Sequence, residues 1–268
     1  MISQHEIDTF VERGAVLLDG ILEPELIDAA SEEMDRQYDA HENNDIGIIQ
    51  YVFGDSLEEI YQHPHLEAIA KKVIGTNEVD FIASAFLHTL PNSAEKWGYK
   101  PETEHVDIQY NEEEWCQTPR RILIMFMIFL DDVTSERAPT VVRLGSQLSI
   151  AKHHGTKDAY KDRPQYIIDL PKLNYEAMTP LTGKKGQVAV STTSLIHTGS
   201  FNTTEKARKM FFVSYAATGS NINFNTNLAQ ERLDYMNELH RRFSPERKHL
   251  VEGTIKQLEG ILLAENNL

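Results

Sequence analysis

Six short apolar runs in the middle of the chain constrain its fold more than any other feature. They are rich in β-branched and aromatic residues, and turn residues separate them. Many short strands at this spacing are typical of a β-sandwich or barrel. The runs are DFIASAFLHTL, RILIMFMIFL, PTVVRL, QYIIDL, GQVAVS and KMFFVSYAAT. We therefore expect a mostly β fold at the centre of the chain.

Helical patterns flank this centre on both sides. Residues 3–13 predict a helix with Ser3 as N-cap and Glu6 three positions on, which is a capping-box pattern. Pro24 is predicted to begin a second helix and Pro64 a third, over 64–74, while GAVLLDG predicts a buried strand. Two C-terminal helices are predicted at 228–242 and 246–264. No repeat or linker interrupts residues 1–268, so we expect one domain.

Composition restricts the possible partners and compartments. A formal net charge of −15 and a pI near 5.2 argue against non-specific binding to nucleic acid or to anionic membranes. The longest apolar run, residues 122–130, is too short to span a bilayer, and the first residues lack an apolar core of signal-peptide length. Cys116 is the single cysteine, so no internal disulfide can form. We expect a cytoplasmic protein that acts on a small molecule.

The segment TEHVDIQY carries the first part of a candidate metal site. Residues two apart on a strand face the same side, so His105 and Asp107 are expected to point together. An imidazole beside a carboxylate is two thirds of the facial triad that holds non-haem iron and leaves coordination positions open. His-x-Asp also arises by chance, commonly as a surface pair, so this motif needs a partner.

The segment SLIHTGSFNTTEKARKMFFVSY supplies that partner. His197 follows an apolar run, and Arg208 lies 11 residues later (208 − 197) at the start of another. A short turn between paired strands could bring the guanidinium back beside the histidine, where it could hold a carboxylate through two hydrogen bonds. The alternative interpretation is a surface arginine in the basic stretch KARK.

With these residues the chain resembles the phytanoyl-CoA dioxygenase-like branch of the Fe(II)/2-oxoglutarate oxygenases. That family has a His-x-Asp pair, a distant second histidine and an arginine soon after it. Here the gaps are 92 residues (197 − 105) and 11 residues. The resemblance implies a double-stranded β-helix, a jelly-roll or cupin-like barrel. It also implies that His105, Asp107 and His197 bind iron, that Arg208 binds the far carboxylate of 2-oxoglutarate, and that Thr89 contacts the same co-substrate.

The implied reaction uses O2 and 2-oxoglutarate, releases succinate and CO2, and oxidises a C–H bond of a small-molecule substrate. Related halogenases have a small residue at the position of Asp107, so the carboxylate here argues for oxygen insertion. The residues do not distinguish hydroxylation from desaturation, cyclisation or epimerisation, and they leave the oligomeric state open.

The resemblance extends over roughly residues 5–217 and has departures. FVERGAVLLDGILEPELIDAASEEM resembles the family's opening, and ILIMFMIFLDDVTSERAPTVVRLGSQ resembles a strand, acidic turn and strand that usually end in Pro-Gly-Ser-His. Leu144 and Gln147 stand where that proline and histidine are common, and Arg137-Ala138 replaces a common Asn-Gly turn. These positions are expected near the mouth of the barrel, so they bear on the substrate.

Two other classes of function remain open at this point. Two histidines and an aspartate could hold zinc in a hydrolase, or the barrel could bind a ligand without catalysis. Arg208 discriminates, because a hydrolase needs no anchor for 2-oxoglutarate. Regions 41–56 and 92–104 are either lids over the substrate or plain surface loops. Structural roles are expected for the other histidines and the nearby aromatic residues, namely His63, His65, His88, His153, His154, Trp97, Tyr110 and Trp115.

Overall fold

Apolar runs and amphipathic helices form the elements described here. The computed structural model describes residues 2–40, 47–92, 96–107, 123–154, 166–167, 170–222 and 224–265. Tyr110, Trp115 and Cys116 lie outside the described residues. In chain order the elements are α1 (Gln4–Arg13), β1 (Ala15–Leu18), α2 (Pro24–Ala40), β2 (Ile48–Gln50), α3 (Asp55–Tyr61), α4 (Pro64–Ile74), β3 (Val79–Thr89), β4 (Val106–Asp107), β5 (Leu123–Phe129), β6 (Thr140–Val142), α5 (Ser146–His154), β7 (Tyr166–Ile167), β8 (Thr179–Leu181), β9 (Val188–Thr192), β10 (His197–Thr198), β11 (Arg208–Ala217), α6 (Ala229–Arg242) and α7 (His249–Glu265).

The strands form one large sheet and two small ones, with antiparallel pairing throughout the described residues. The large sheet has the order β1-β9-β5-β11-β3-β2, and the small sheets have the orders β10-β6-β8 and β4-β7. The neighbours in the large sheet are far apart in sequence, so the sheet closes only when distant parts of the chain meet.

The two faces of the large sheet bury different sets of residues. Successive side chains of a strand point to opposite faces. Phe211 and Val213 of β11 therefore pack into the core beneath α2, α4 and α7, while Met210 and Phe212 join a second cluster with Leu181 of β8. The three-stranded sheet thus covers the face opposite the helices, which gives a β-sandwich with helices on its outside.

The helices follow the sequence signals closely. Ser3 and Glu6 form the predicted capping box at α1, which ends at Gly14 with φ of 80°. Helix α4 begins at Pro64 and ends at Gly75, also with positive φ. The N-terminal helices and the two C-terminal helices are confirmed within one to three residues at their ends. No helix of the described ranges is both long enough and apolar enough to cross a membrane.

Some observed elements differ from those expected from the sequence. β1 is an edge strand with Leu17 41% exposed, so the prediction of a buried strand is only half right. The region 41–56 contains β2 and the start of α3, while 41–46 lie outside the described residues. The very short strands β4, β8 and β10 carry too few residues for a periodic pattern.

Candidate metal centre

Two chain segments bring His105, Asp107 and His197 together. The backbone N–H of His105 donates to the carbonyl of His197 at 3.0 Å, and that of His197 donates back at 2.9 Å. The N–H of Asp107 donates to the carbonyl of Thr193 at 2.9 Å. One potential ligand atom from each of the three side chains lies within 4.8 Å of the other two. The backbone pairing therefore assembles the triad expected from the sequence.

Strand alternation orients these side chains as expected. Val106 is fully buried in the core, while the flanking His105 and Asp107 are only partly buried. The Asp107 carboxylate oxygens lie 3.8 Å from His105 Nε2 and 3.6 Å from His197 Nε2. The two imidazole rings have centroids 4.4 Å apart. Three donor groups therefore surround one small volume.

Backbone carbonyls select the ring nitrogen that each histidine presents. His105 Nδ1 lies 2.8 Å from the carbonyl of Thr103, and His197 Nδ1 lies 2.9 Å from that of Leu195. A carbonyl only accepts, so Nδ1 carries the proton and Nε2 carries the lone pair on the side of Asp107. Histidines that bind metals commonly donate their second ring nitrogen in this way.

The donor set fits a divalent iron ion. Burial, and then the neighbouring ring of His197, lower the pKa of His105, which favours the neutral form that a metal ligand requires. Two imidazole nitrogens and one carboxylate leave open coordination positions, as in the 2-His-1-carboxylate sites of Fe(II) oxygenases. The same three groups alone would also suit zinc. The choice between iron and zinc therefore depends on whether the chain also provides an anchor for 2-oxoglutarate.

The candidate anchor for 2-oxoglutarate is Arg208, which begins β11 opposite Thr89 of β3. Its Nη2 donates to Thr89 Oγ1 at 2.9 Å and its Nη1 donates to the carbonyl of Ala138 at 2.5 Å. The residue is 3% exposed, and Nε has no hydrogen-bond partner among the residues that the structure describes. The interpretation of Arg208 as a surface residue is therefore wrong.

The described residues supply no counter-charge for Arg208. Within the described part of the chain no carboxylate forms an ion pair with it, and burial lowers its pKa to about 10. An uncompensated buried charge costs several kcal/mol. A guanidinium held in this way, with polar atoms still to satisfy, is suited to receive an anion such as a carboxylate.

The expected pairing between the strands of His197 and Arg208 is wrong. β10, which holds His197, pairs with β6, whereas β11 pairs with β3 and β5. The two strands belong to different sheets, so no hairpin turn joins them as partners. Ala138 connects the two strands instead. Its carbonyl accepts a hydrogen bond from Arg208 of β11, and it shortly precedes β6, which pairs with β10.

A buried ion pair connects the two histidine segments. Arg143 donates through Nε and Nη2 to the carboxylate oxygens of Glu104 at 2.7 and 2.8 Å. Glu104 precedes His105, and the backbone N–H of Arg143 donates at 2.9 Å to Ile196, which precedes His197. The sequence signal that could have found this pair was a charged residue inside the apolar run PTVVRL, although its partner lies 39 positions away.

Leu144 and Gln147, the two residues that depart from the Pro-Gly-Ser-His pattern of the family, lie against the N-terminal segment. Gln147 is 2% exposed and its Nε2 donates to the carbonyls of Val11 and Glu12, each at 3.2 Å. Leu144 packs beside a small cluster that includes Ala15. Their contacts therefore join α1 and β1 to the rest of the fold, and they give no support to the expectation that these positions face the substrate.

The other polar candidates make structural contacts. The ring of His88 packs against that of Tyr38 with centroids 3.9 Å apart and the planes tilted by 36°, and burial lowers the pKa of His88. His63 caps α4 by accepting from the N–H of His65. Trp97 donates to Ser200 Oγ at 3.3 Å. These contacts agree with the structural roles expected from the sequence.

Comparison with known proteins identifies the family. No curated protein matches this chain. Many solved structures are similar to it, including the following three. The carbocyclase SnoK from nogalamycin biosynthesis has a TM-score of 0.65 and 16% identity, covering 91% of this chain and 92% of that chain. The epimerase SnoN in complex with Fe3+, alpha ketoglutarate and nogalamycin RO has a TM-score of 0.62 and 14% identity, covering 81% and 84%. EctD from S. alaskensis with 2-oxoglutarate and 5-hydroxyectoine has a TM-score of 0.56 and 18% identity, covering 82% and 78%.

These similarities confirm the predicted double-stranded β-helix with flanking helices. The family model described as phytanoyl-CoA dioxygenase matches residues 10–210, which is most of the chain. The chain therefore belongs to the phytanoyl-CoA dioxygenase family and is an Fe(II)- and 2-oxoglutarate-dependent oxygenase.

Proposed function

We propose that this chain, as a single domain, hydroxylates an unactivated C–H bond of a small molecule. In the overall reaction, substrate R–H, O2 and 2-oxoglutarate become R–OH, succinate and CO2. The observation that carries the proposal is Arg208, a buried guanidinium with no ion-pair partner in the described residues, in a fold that also assembles a His-Asp-His triad. A zinc hydrolase would need the triad but not this cation.

In this proposal His105, Asp107 and His197 hold the metal. Bound Fe(II) supplies the activation of O2, with electrons drawn from 2-oxoglutarate and the substrate. The Thr103 and Leu195 carbonyls keep Nδ1 of each histidine protonated and Nε2 directed inward. The Asp107 carboxylate occupies a position that halogenation would require for chloride, which supports oxygen insertion instead.

Arg208 and Thr89 form the proposed anchor for the co-substrate. The guanidinium pairs with the far carboxylate of 2-oxoglutarate and fixes its orientation. Thr89 Oγ1 already accepts from Arg208, so its own proton can be donated to the same carboxylate. Arg208 is 3% exposed, and this burial strengthens the attraction between the two charges.

The proposed substrate is a small molecule. SnoN binds nogalamycin RO and EctD binds 5-hydroxyectoine, so small molecules are the precedent in this fold. A net charge of −15 disfavours nucleic acid and anionic membranes as partners. A cytoplasmic location is part of the proposal and is supported by the single cysteine. Residues 41–56 and 92–104 stay candidates for the segments that cover the substrate.

Two substitutions test the assignment, each with a matched surface control. Asp107→Ala should abolish tight Fe(II) binding in anaerobic calorimetry and succinate release under air, whereas Asp8→Ala on the exposed face of α1 should leave both unchanged. Arg208→Ala should raise the 2-oxoglutarate requirement by at least about 30-fold, because losing a buried charged partner typically costs about 2–5 kcal/mol. The exposed Arg36→Ala serves as its control.

The outcomes separate the proposal from its alternative. Undiminished Fe(II) binding by Asp107→Ala would refute the ligand assignment, and an unchanged 2-oxoglutarate requirement in Arg208→Ala would refute the anchor. Hydrolytic activity with Zn(II), together with no binding of 2-oxoglutarate, would favour the metallohydrolase.

A further inference from the structure

The turn that leads into β6 carries an unusual backbone conformation beside Arg208. Ala138 has a φ of 47°, in the left-handed region that favours glycine. Its N–H donates to the carbonyl of Phe201 at 3.2 Å, and its carbonyl accepts from Arg208 Nη1. A non-glycine residue in this conformation persists only where the surroundings impose it. The group that imposes it therefore also sets one contact of the buried guanidinium.

Arg137, the preceding residue, makes the contacts that can impose this conformation. Its side chain is 11% exposed and spans the base of the turn. Nε donates to the carbonyl of Ala207 at 3.0 Å and Nη1 donates to that of Asp132 at 2.9 Å. Nη2 donates to Asp131 Oδ2 at 2.8 Å and also to the Ala207 carbonyl.

Arg137 is connected to two residues that hold Arg208 in place. Ala207 directly precedes Arg208 in the chain, and Ala138 holds its guanidinium. Arg137 is bonded covalently to Ala138 and through its side chain to Ala207. Arg137 therefore links the residue before Arg208, through its guanidinium, to the residue that holds the far end of Arg208, through its own peptide bond.

Asn202 extends this frame to the third contact. The backbone of Asn202 forms a β-bridge with Arg137. Its side chain is fully buried, and Nδ2 donates to the carbonyl of Thr89 at 2.9 Å. Thr89, the side-chain partner of Arg208, is thus tied to the same turn. Displacement of Arg137 is therefore expected to disturb the side-chain contacts of Arg208 with Ala138 and Thr89 together.

We propose that Arg137 is a positioning residue for the co-substrate anchor, acting through Ala207 and Ala138 to orient Arg208 for a carboxylate. This inference rests on the proposed function of Arg208. Three donors of a planar guanidinium are used on three acceptors, which an ammonium on a flexible stem cannot reproduce. Arg137 therefore does more than form an ion pair with Asp131, because its other donors hold two backbone carbonyls.

The test compares Arg137→Ala, Arg137→Lys and Arg208→Ala with the surface control Arg36→Lys. The dissociation constant of 2-oxoglutarate is measured anaerobically on Mn(II)-loaded protein, and that of Mn(II) is measured separately. We expect Arg137→Ala to weaken 2-oxoglutarate binding by at least about 10-fold, the effect of losing a hydrogen bond to a charged group. Mn(II) affinity should stay within about twofold, since none of the hydrogen bonds of Arg137 given above involves a triad residue. Arg137→Lys should recover only part of the loss.

A rescue experiment separates positioning from general destabilisation. Ala138→Gly added to Arg137→Ala removes the steric cost of the left-handed turn, so it should restore part of the 2-oxoglutarate affinity. The steady-state signature is a raised KM for 2-oxoglutarate with kcat largely kept at saturation.

Wild-type 2-oxoglutarate affinity in Arg137→Lys and in folded Arg137→Ala, with weakened binding in Arg208→Ala, would overturn this inference alone. Unchanged binding in Arg208→Ala would overturn the proposed anchor and this inference with it. An equal loss of Mn(II) and 2-oxoglutarate affinity would assign Arg137 a merely structural role.

Discussion

Replacing Glu104 by glutamine breaks the buried ion pair that joins the two histidine segments. Arg143 holds both carboxylate oxygens of Glu104 at 2.7 and 2.8 Å, and the two side chains are 21% and 10% exposed. The segment that carries His105 has little regular structure of its own, because β4 contains two residues. The pair is therefore expected to stabilise the fold and the spacing of the metal ligands.

The magnitude follows from the burial and the geometry. Breaking a buried ion pair by removing one partner typically costs about 3–5 kcal/mol. Arg143 retains some contact with solvent and glutamine keeps one acceptor oxygen, so we expect Glu104→Gln to lower the free energy of unfolding by about 2 kcal/mol. Arg143→Met should cost more, because it leaves a buried carboxylate without its cation.

A double-mutant cycle isolates the interaction itself. Unfolding by urea is measured on the metal-free wild type, both single variants and the double variant. We expect a coupling energy of about 2 kcal/mol. The pair of Lys184 and Asp132, whose side chains are 78% and 49% exposed, provides the control, with an expected coupling well below that of the buried pair. The single variants should also bind Co(II) more weakly than the wild type.

A coupling energy near zero for Glu104 and Arg143 would refute this reasoning. It would show that the backbone pairing of His105 with His197 suffices to hold the segments together, and that the ion pair is incidental.

Three further predictions concern stability. Burial raises the pKa of Asp80 to about 6, although its hydrogen-bond donors act to lower it. The contribution of the protonated carboxyl to the free energy of unfolding is therefore lost as pH rises through about 6. Urea titrations should show the wild type losing stability relative to Asp80→Asn between about pH 4 and 7. Burial acts to raise the pKa of Glu67, but its hydrogen-bond donors, Arg247 among them, outweigh this and lower it to about 2. The advantage of wild type over Glu67→Gln should therefore shrink as pH falls from about 4.5 toward 2, and a constant difference would contradict the assignment. Gly14→Ala should lower the unfolding free energy by about 3 kcal/mol, because φ is 80° and a Cβ would lie 2.5 Å from Gln147 Oε1; a loss under about 1 kcal/mol would contradict this.

The sequence predicted the parts of the site that depend on local pattern. His105 and Asp107 share a side because alternation is a property of any extended segment. The helix ends at Gly14 and Gly75 were predictable because glycine tolerates the left-handed conformation. The arginine after His197 was identified by the resemblance to the family.

What the sequence did not predict depends on contacts between distant segments. The assignment of β10 and β11 to different sheets follows from how the sandwich closes, which no local pattern encodes. The carbonyls of Thr103 and Leu195 select the histidine tautomers, and backbone atoms leave no signature in the residue type. Helix α3 was missed because it is short and its N-cap, Gly54, makes no side-chain cap.

The position of Arg137 shows the same limit from another side. At the level of sequence, Arg137-Ala138 was a departure that pointed toward the substrate. In the fold its side chain turns inward to Asp131, Asp132 and Ala207. Only the three-dimensional arrangement connects this departure with the buried guanidinium of Arg208.

An anaerobic crystal structure with Mn(II) and 2-oxoglutarate tests the central claim most directly. We predict one metal ion bound by Nε2 of His105, Nε2 of His197 and a carboxylate oxygen of Asp107. We also predict the far carboxylate of 2-oxoglutarate paired with Arg208 and within hydrogen-bond distance of Thr89 Oγ1. A metal ion bound elsewhere, or 2-oxoglutarate bound without contact to Arg208, would contradict this claim.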